Sequence, residues 1–341
     1  MNSGRFAEIT SRYSALRIGV VGDFCLDRYL EIDANRPETS IETGLPVHNV
    51  TRVRSQPGAA GTIVNNLVAL GVGRILPVGF CGEDGEGWEL LRALRGLRGV
   101  SLEHFVQTPE RVTFTYTKPL VAGRELSRLD IKNWSATSAA LGTRLAENLR
   151  ALAVDAIIVM DQVSIDETGV VTAPVLAALT EIAAANPQMP IVADSRRSLR
   201  DFPAMILKMN AHELAKLTGG SCDEVASAQA LACERMKPVI VTLAERGLLG
   251  AQPAGEIVTV PAWPVHGEID VVGAGDSVTA NALAALAAGA SLAEAIAIAN
   301  AAASIVVHQL GTTGTATVAE IGRLLSGDQS FPASGKRSES M

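Results

Sequence analysis

The chain has 341 residues, of which 48% are hydrophobic and 19% are charged, so it can bury a large core and is not a disordered polypeptide. A formal net charge of −7 without any basic block argues against a nucleic-acid partner. The four cysteines are scattered with no Cys-x-x-Cys pair, which argues against a zinc site or a disulfide framework and favours a reducing compartment.

Two segments bear on localisation. Residues 1–15 carry charged and polar residues without an apolar core, so we interpret them as an N-terminal extension and not as a secretory signal. The candidate membrane span, residues 278–307, is rich in alanine but interrupted by Gly289, Glu294 and Asn300. We therefore predict two packed helices there and a cytoplasmic protein without a membrane partner.

The first predicted strand ends in acidic residues. Residues 17–23 read as a short buried strand that closes on a glycine and Asp23, and Asp27 follows four residues later. Open α/β sheets bind ligands just beyond the carboxyl ends of their strands. We therefore predict that Asp23 and Asp27 contact a ligand, although two acids so close to a strand end could also be turn or capping residues.

Two separated groups of residues alternate between apolar and polar side chains, one within residues 28–55 and the other within residues 111–130. Such alternation is typical of half-exposed strands. Because these groups interrupt a series of strand–helix units, they predict a small sheet that stands apart from the main one. This sheet would serve as a lid, or as a surface for self-association through its exposed face.

A run of small residues lies between these two groups. Residues 56–61 contain two glycines and two alanines, and a helical pattern follows from Thr62 to Leu70. Without large side chains, the backbone can be approached closely. We interpret this entry to the helix as one edge of a ligand site.

Strands and helices alternate regularly in the second half of the chain. Short apolar strands are predicted over residues 156–160, 191–193 and 239–243, with helices over residues 172–185 and 223–234. This order is typical of a parallel sheet that is covered by helices on both faces. The sequence therefore predicts an α/β protein with a ligand crevice at the carboxyl ends of its strands.

Polar residues stand at several of these strand ends. Asp194 follows one strand directly, and Arg196 and Arg197 could neutralise a phosphate or form surface ion pairs. Asn210 and Glu213 open another helix one turn apart, as an N-cap and a first-turn acid would. An amide and a carboxylate at this spacing also suit a Mg²⁺ ion that is held through water.

A glycine turn precedes a long, almost uncharged helical pattern. Gly273 and Gly275 flank Ala274, and Asp276 follows at the start of the helix. The unpaired N–H groups of such a turn form an anion site, suited to phosphate or to charge that develops in a transition state. Because a helix N-terminus favours an anion, we expect Asp276 to stay ionised and to accept a proton from an attacking hydroxyl. The alternative is a tight turn with Asp276 as a helix cap.

Taken in chain order, these motifs resemble those of the ribokinase-like (PfkB) carbohydrate kinases over residues 16–325. The most specific resemblance is the sequence Asp-Val-Val-Gly-Ala-Gly-Asp-Ser of residues 270–277. Residues 210–213 are similar to the Asn-x-x-Glu element of that family, and residues 57–66 to its N-terminal glycine motif. Within the family, the opening at residues 20–29 looks most like that of the heptose-7-phosphate kinases.

The resemblance implies a fold and a domain organisation. It predicts a three-layer α/β/α architecture with a central, mostly parallel sheet and a small β-sheet lid. One kinase domain would span residues 16–325, and the tail over residues 326–341 would be disordered. From the exposed face of the predicted small sheet we also expect a homodimer that associates through the lid.

The resemblance assigns site residues as well. Asp276 would be the catalytic base, and Gly273, Ala274 and Gly275 would form the anion hole. The sugar would contact residues after the first strand and in the glycine motif: Asp23, Asp27, Gly58, Ala59, Ala60, Thr62 and Asn65. The nucleotide would lie on residues of later segments: Asn210, Thr242, Ala244, Glu245, Gly247, Asn281 and Asn300. Metal contacts would come from Asn210, Glu213 and Asp270.

The activity that the resemblance implies is ATP-dependent phosphorylation of a hydroxyl on a sugar or sugar phosphate, with Mg²⁺ and a potassium site beside Asp270. Three residues depart from the pattern. Ala59 and Thr62 stand where the heptose-7-phosphate kinases have glycine and asparagine, and Ala244 stands where the family usually has glycine. A changed polar partner alters which sugar a hydrogen-bonding site accepts, so the identity of the sugar stays open.

Two other functions compete with the kinase. A non-catalytic sugar or nucleotide sensor with the same fold would explain the three departures, although the intact Asp276 argues against it. A dinucleotide oxidoreductase is suggested by the early strand and its glycines, but no Gly-x-Gly-x-x-Gly follows that strand. We favour the kinase.

Overall fold

A computed structural model describes residues 1–220 and 223–327. Its strands are β1 (Arg17–Gly22), β2 (Phe24–Ile32), β3 (Glu38–Thr39), β4 (Pro46–Val47), β5 (Val50–Ala59), β6 (Arg74–Gly82), β7 (Phe105–Thr108), β8 (Thr115–Val121), β9 (Arg124–Glu125), β10 (Leu129–Ile131), β11 (Ala156–Asp161), β12 (Ile191–Ser195), β13 (Ile206–Asn210), β14 (Val239–Thr242), β15 (Leu248–Ala251) and β16 (Ile257–Val260). Its helices are α1 (Ser3–Ser11), α2 (Ala60–Ala69), α3 (Gly85–Arg95), α4 (Ala139–Arg150), α5 (Ala173–Ala185), α6 (Ala211–Thr218), α7 (Glu224–Arg235), α8 (Ala274–Ala287), α9 (Leu292–Val306) and α10 (Val318–Leu325).

A nine-stranded sheet forms the centre of the protein, in the order β16-β15-β14-β13-β12-β11-β1-β6-β7. Neighbouring strands from β14 to β7 are parallel, and β15 and β16 continue the sheet as antiparallel strands. Side chains alternate between the two faces, so Val20 and Ile158 lie in one buried core while Val21 and Val159 lie in the other.

Helices cover both faces of this sheet. Buried residues of α1, α2, α3, α8, α9 and α10 pack on one face, and those of α4, α5, α6 and α7 pack on the other. This arrangement confirms the predicted three layers around a mostly parallel sheet. The predicted N-terminal extension contributes to the first layer, because Phe6 and Ile9 of α1 are buried in its core.

A second, smaller sheet forms the predicted lid. Its order is β10-β8-β2-β5, with β9 paired to β8. Asp23 alone separates β1 from β2, so the chain passes directly from the main sheet into the lid. This continuation corrects the interpretation of Asp27 as a turn residue, because Asp27 lies inside β2.

The alanine-rich segment of the sequence forms two helices, as predicted. Gly289 lies between α8 and α9 with a φ of +86°, and Ser291 then caps α9 by accepting the N–H of Glu294. Within the two described ranges, no helix is both long enough and apolar enough to span a bilayer. The sequence predicts a disordered tail over residues 326–341. Its first residue, Ser326, is the C-cap of α10, and residues 328–341 lie outside the described residues.

Candidate active site

A cavity of about 810 Å³ opens between the lid and the carboxyl ends of the main-sheet strands. Its wall combines residues that are far apart in the sequence and that the sequence singled out: Asp27, Ala59, Thr62, Asn210, Glu213, Thr242, Gly273, Gly275 and Asp276. The strands bring them together because parallel strands end at the same edge of a sheet. The lid supplies Asp27 and Ala59, and the main sheet and its helices supply the rest.

The glycine turn at the start of α8 leaves backbone donors free. Gly273 occupies the N-cap position with a φ of +84°, and no side chain caps the helix. The N–H of Ala274 donates to the Val271 carbonyl at 3.2 Å, whereas the N–H groups of Gly275 and Asp276 have no partner among the described residues. Two free donors at a helix N-terminus form an anion site. The alternative of Asp276 as the helix cap does not apply, since Gly273 holds that position.

Asp276 lies half-buried in the cavity wall. Burial raises the pKa of its carboxyl to about 7, and the neighbouring Asp194 carboxylate adds to this rise. Lys208 and Arg196 act in the opposite direction on the same pKa. We expected the helix N-terminus to keep this carboxylate fully ionised. The loss of water around the carboxyl outweighs that effect, and a carboxyl with a pKa near neutrality suits proton transfer.

Lys208 is a site residue that the sequence analysis missed. It lies in β13 and is only 6% exposed, and its ammonium donates to the Asp194 carboxylate at 2.6 Å. Burial alone would lower the pKa of Lys208, but the paired Asp194 carboxylate raises it overall. The sequence did contain a signal for Lys208. It is the one charged residue in the strand Ile-Leu-Lys-Met-Asn, whose other residues are apolar except for the final asparagine.

The lid side of the cavity presents polar groups without protein partners. The Asp27 side chain is 6% exposed, and no hydrogen bond to it occurs within the described part of the chain. Burial raises the pKa of Asp27, while Lys118 and Arg128 oppose that rise. The Thr62 hydroxyl is also buried, and none of the described residues hydrogen-bonds to it. Unpaired buried polar groups are costly unless a ligand satisfies them.

Gly58 explains how Asp27 fits into this wall. A β-carbon added to Gly58 would lie 2.7 Å from the Asp27 carboxyl carbon, so any larger residue would displace the carboxylate. The next residue, Ala59, has φ +51° and ψ −115°, a conformation that normally requires glycine. Ala244 likewise has a φ of +53°. Both alanines that depart from the family pattern therefore keep a glycine-type backbone.

Asp23 is not part of the cavity wall. It is fully buried, and its carboxylate accepts the N–H groups of Gln162 at 2.8 Å, Val163 at 3.1 Å and Val170 at 2.8 Å. Because Gln162 and Val163 line the cavity, Asp23 holds the loop that forms part of its wall. The predicted contact of Asp23 with sugar stays a prediction.

Several other predicted residues lie outside the cavity wall, namely Ala60, Asn65, Ala244, Glu245, Gly247, Ala274, Asn281 and Asn300. Two of them make internal hydrogen bonds. The side-chain amide of Asn281 donates to the Ser277 carbonyl at 2.9 Å, and that of Asn300 donates to the Pro261 carbonyl at 2.8 Å. These two asparagines therefore have structural partners, and their predicted contacts with adenine stay untested.

Asn210 and Glu213 are the cavity residues best placed to hold a metal ion. They cap α6 reciprocally, with Asn210 accepting the N–H of Glu213 and Glu213 accepting that of Asn210, each at 2.8 Å. Among the described residues, no three acidic, histidine or cysteine side chains cluster as a ligand set. This suits Mg²⁺, which keeps its waters and uses one or two carboxylates beside substrate phosphates.

Asp270 stabilises the glycine turn from outside the cavity. Its carboxylate accepts the N–H of Val272 at 3.0 Å and that of Gly311 at 3.2 Å. It therefore links the turn to the loop that follows α9. The role of Asp270 as a metal ligand stays a prediction.

Arginines and lysines line both ends of the cavity. Arg196 is in its wall, whereas Arg197 is paired with Asp161 and Asp166, so of the two only Arg196 is placed to meet a phosphate. The lid adds three cations that the sequence analysis did not single out: Lys118, Arg128 and Lys132. Lys118 lies in β8, whose alternating sequence does not tell which face meets the cavity, and Arg128 and Lys132 flank the short strand β10.

Comparison with known proteins places these features in context. The family description "pfkB family carbohydrate kinase" matches residues 22–318. The bifunctional protein HldE of Gluconacetobacter diazotrophicus is 32% identical over 317 residues, covering 91% of this chain and 63% of that protein. HldE of Rhodospirillum rubrum is 35% identical over 322 residues, covering 90% of this chain and 62% of that protein. The chain thus spans less than two thirds of these relatives.

Solved structures share the fold. Arabidopsis thaliana ribokinase complexed with ribose and ATP aligns with a TM-score of 0.68 at 21% identity, over 91% of this chain and 98% of that one. Phosphofructokinase-2 from Escherichia coli in complex with fructose-6-phosphate aligns with a TM-score of 0.65 at 19% identity, over 91% and 99%. At such identities the likeness concerns the fold alone.

Proposed function

The chain belongs to the pfkB family of carbohydrate kinases, and from that premise we propose that it transfers the γ-phosphoryl group of ATP to a hydroxyl of a sugar or sugar phosphate. One observation carries the proposal. Asp276 and Gly275, whose backbone N–H groups are free, line one cavity together with the helix-capping pair Asn210 and Glu213 and the carboxylate of Asp27. A proton acceptor beside an anion site is what phosphoryl transfer to an alcohol requires.

The residues divide the reaction between them. Asp276 accepts the proton of the acceptor hydroxyl, whose oxygen forms the new bond to the γ-phosphorus as the bond to the β-phosphate oxygen breaks. The free N–H groups of Gly275 and Asp276 stabilise the negative charge on the transferring group, and ADP leaves. Such a transition state is loose, so exact placement of these groups contributes more than the basicity of Asp276.

Cations complete the site in this proposal. Asn210 and Glu213 would hold Mg²⁺ through water, and the ion would neutralise charge on the nucleotide phosphates. We also propose a potassium ion near Asp270, next to the glycine turn. Escherichia coli phosphofructokinase-2, a structural neighbour with a TM-score of 0.67, was solved in complex with potassium.

The lid favours an acceptor that already carries a phosphate. Lys118, Arg128 and Lys132 line the cavity from that side. Asp130 pairs with both Arg128, at 2.8 Å, and Lys132, at 3.0 Å, so one carboxylate balances two of these three cations. The remaining positive charge suits a phosphate, while Asp27 and Thr62 suit the hydroxyls of the sugar.

The lid also supports a proposal of self-association. Its edge strands expose apolar side chains, among them Val53 at 56% and Leu129 at 61%. Two copies that pair through this sheet would cover them. We propose a cytoplasmic homodimer, and we expect sedimentation to show a dimer that Val53→Glu weakens. A monomer at micromolar concentration of the unchanged protein would contradict this.

A sensor without catalysis is the second candidate, favoured by the alanines that occupy glycine-type conformations at positions 59 and 244. The test of both is ADP release from MgATP with a panel of sugars and sugar phosphates, with and without potassium. Turnover that depends on one acceptor, and that Asp276→Asn abolishes, supports the kinase. ATP binding without ADP release across the panel supports the sensor.

A further inference from the structure

The buried Lys208–Asp194 pair lies directly beneath the anion turn. Lys208 and Asp194 are 6% and 7% exposed, and both line the cavity. A β-carbon added to Gly275 would lie 3.1 Å from the Lys208 ammonium nitrogen, so this nitrogen faces the turn whose N–H groups are free. A positive charge therefore lies close to the turn that carries the two free backbone donors.

The hydrogen bonds of Lys208 leave it with unused donors. An ammonium carries three N–H donors, and within residues 1–220 and 223–327 a single hydrogen bond is made by Lys208, to Asp194 at 2.6 Å. Asp194 in turn accepts the Thr279 hydroxyl at 3.2 Å, and Thr279 belongs to the helix that starts at the turn. Asp194 thus anchors the ammonium between β12, β13 and α8.

A role in stability alone does not account for this pair. Replacing a buried ion pair by apolar residues of similar size is often neutral or stabilising, so such a pair is weak evidence of a contribution to folding. The position of this pair points to a ligand, since both members line the cavity and the Lys208 ammonium lies next to the turn with free N–H groups. A third partner in the cavity would use the free donors of the ammonium.

We propose that Lys208 is a catalytic residue, whose ammonium donates to the oxygens of the transferring phosphoryl group while Asp194 holds it in place. This inference rests on the proposed kinase function. Lys208 would neutralise part of the charge that the Gly275 and Asp276 N–H groups also stabilise. Electrostatic groups that are aimed at a transition state before the reaction account for much of enzymatic catalysis.

The same placement affects the base. The charged groups that act on Asp276 are Asp194, Lys208, Arg196 and Asp27. Of these, Lys208 and Arg196 favour the ionised carboxylate. Loss of Lys208 would therefore also move the acidic limb of the activity profile toward higher pH, which is a secondary readout.

The test uses two variants. Together they separate two roles of Lys208, neutralising the buried Asp194 carboxylate and acting on the transferring phosphoryl group. Lys208→Met removes the ammonium but leaves Asp194 buried without its partner. The double variant Lys208→Met with Asp194→Asn removes both charges and keeps a partner for Thr279, so it should fold. Lys216→Met serves as a matched control, because Lys216 is an exposed lysine of α6 outside the cavity wall.

Three quantities are measured on each protein: kcat, the ratio of the affinities for MgATP and MgADP without acceptor, and the temperature of unfolding. We expect the single and double variants to lose about 100-fold or more in kcat. We expect the preference for MgATP over MgADP to fall about tenfold, because the contact is to the γ-phosphate. The double variant should unfold near the temperature of the unchanged protein, and Lys216→Met should change none of the three.

The outcomes distinguish this inference from the kinase proposal. A double variant that keeps kcat within about threefold and keeps its MgATP preference overturns the inference, since Lys208 would then only balance Asp194. If the unchanged protein phosphorylates no acceptor, the kinase proposal fails, and the nucleotide affinities still decide whether Lys208 contacts the γ-phosphate. If the single variant does not fold, the double variant decides.

Discussion

The floor of the cavity and its lid are built in opposite ways. On the floor, Lys208 and Asp194 are buried side by side on neighbouring strands of the main sheet, and a hydrogen bond from Thr279 ties α8 to Asp194. In the lid, apolar residues such as Val53 are exposed, and cations from β8 and from both ends of β10 line the cavity. A buried frame keeps groups at fixed distances, while an exposed sheet tolerates change. We therefore expect changes on the floor to affect the chemical step, and changes in the lid to affect the choice of acceptor.

The largest effect is expected on the floor. Asp276→Asn keeps the size of the side chain but removes the proton acceptor, so we expect kcat to fall by about 100-fold or more while nucleotide binding is retained. Rapid-quench measurement of ADP formation, with calorimetry for nucleotide affinity, checks this. Turnover close to that of the unchanged protein would remove Asp276 from its role as base.

The same substitution should make the protein more stable at high pH. The folded pKa of Asp276 is about 7, above its ordinary value, so the folded state binds this proton more tightly than the unfolded state does. Ionisation of Asp276 therefore destabilises the folded state. This loss of stability grows as the pH rises from about 4 to 7 and is constant above pH 7. We expect Asp276→Asn to raise the free energy of unfolding by up to about 4 kcal/mol at pH 8, the linkage free energy of a pKa raised from 3.8 to about 7. Denaturant titration should show the difference vanish near pH 4; a difference independent of pH would contradict the elevated pKa.

Activity should depend on pH through the same group. A base acts in its deprotonated form, so kcat/KM should be constant above pH 7 and fall about tenfold for each pH unit below it. The profile of kcat/KM for the acceptor is measured with saturating MgATP from about pH 5.5 to about pH 9. A profile that stays flat down to about pH 5.5 would mean that the carboxylate is ionised throughout this range, as the helix N-terminus alone would predict.

A smaller and different effect is expected in the lid. Arg128→Gln should raise KM for a phosphorylated acceptor about fivefold and leave kcat nearly unchanged, because the contact holds the substrate equally in the ground and transition states. Arg124→Gln is the control, since Arg124 is an exposed lid residue outside the cavity wall. A fall in kcat with constant KM would place Arg128 in the chemical step and blur the contrast between the two regions.

The smallest effect concerns the junction of the two regions. Ala59 joins β5 of the lid to α2 with φ +51° and ψ −115°. Ala59→Gly relieves the strain of this conformation but adds freedom to the unfolded chain, so we expect a net gain of about 1 kcal/mol in the free energy of unfolding. Thermal and denaturant unfolding measure it, with Ala60→Gly inside α2 as the control that should lose stability. Loss of stability in Ala59→Gly would show that the alanine is unstrained.

Part of the site could be predicted because its residues are adjacent in the sequence. The turn from Gly273 to Asp276 and the Asn210–Glu213 cap each lie within one turn of chain, and both are in the cavity wall. The order of strands and helices likewise predicted three layers, because local periodicity reports which face of each element is buried. The division of the alanine-rich segment at Gly289 followed from the same local reasoning.

Other parts depended on contacts between distant residues. Lys208 is opposite Asp194 only because β12 and β13 are neighbours in the sheet. Asp23 binds the backbone of residues 162–170 and not the cavity, which no spacing within the first strand could reveal. The pKa of Asp276 was misjudged for the same reason, since its rise comes from burial and from Asp194, 82 positions away in the printed sequence.

The sequence by itself therefore determined the family, the layers and the local geometry of each motif, because these follow from short-range periodicity, turns and caps. The tertiary structure alone decided which charges face one another, which donors stay free and how strongly a carboxyl holds its proton. Those properties depend on distance and on the exclusion of water, and both arise only when strands far apart in the chain end at one edge of the sheet.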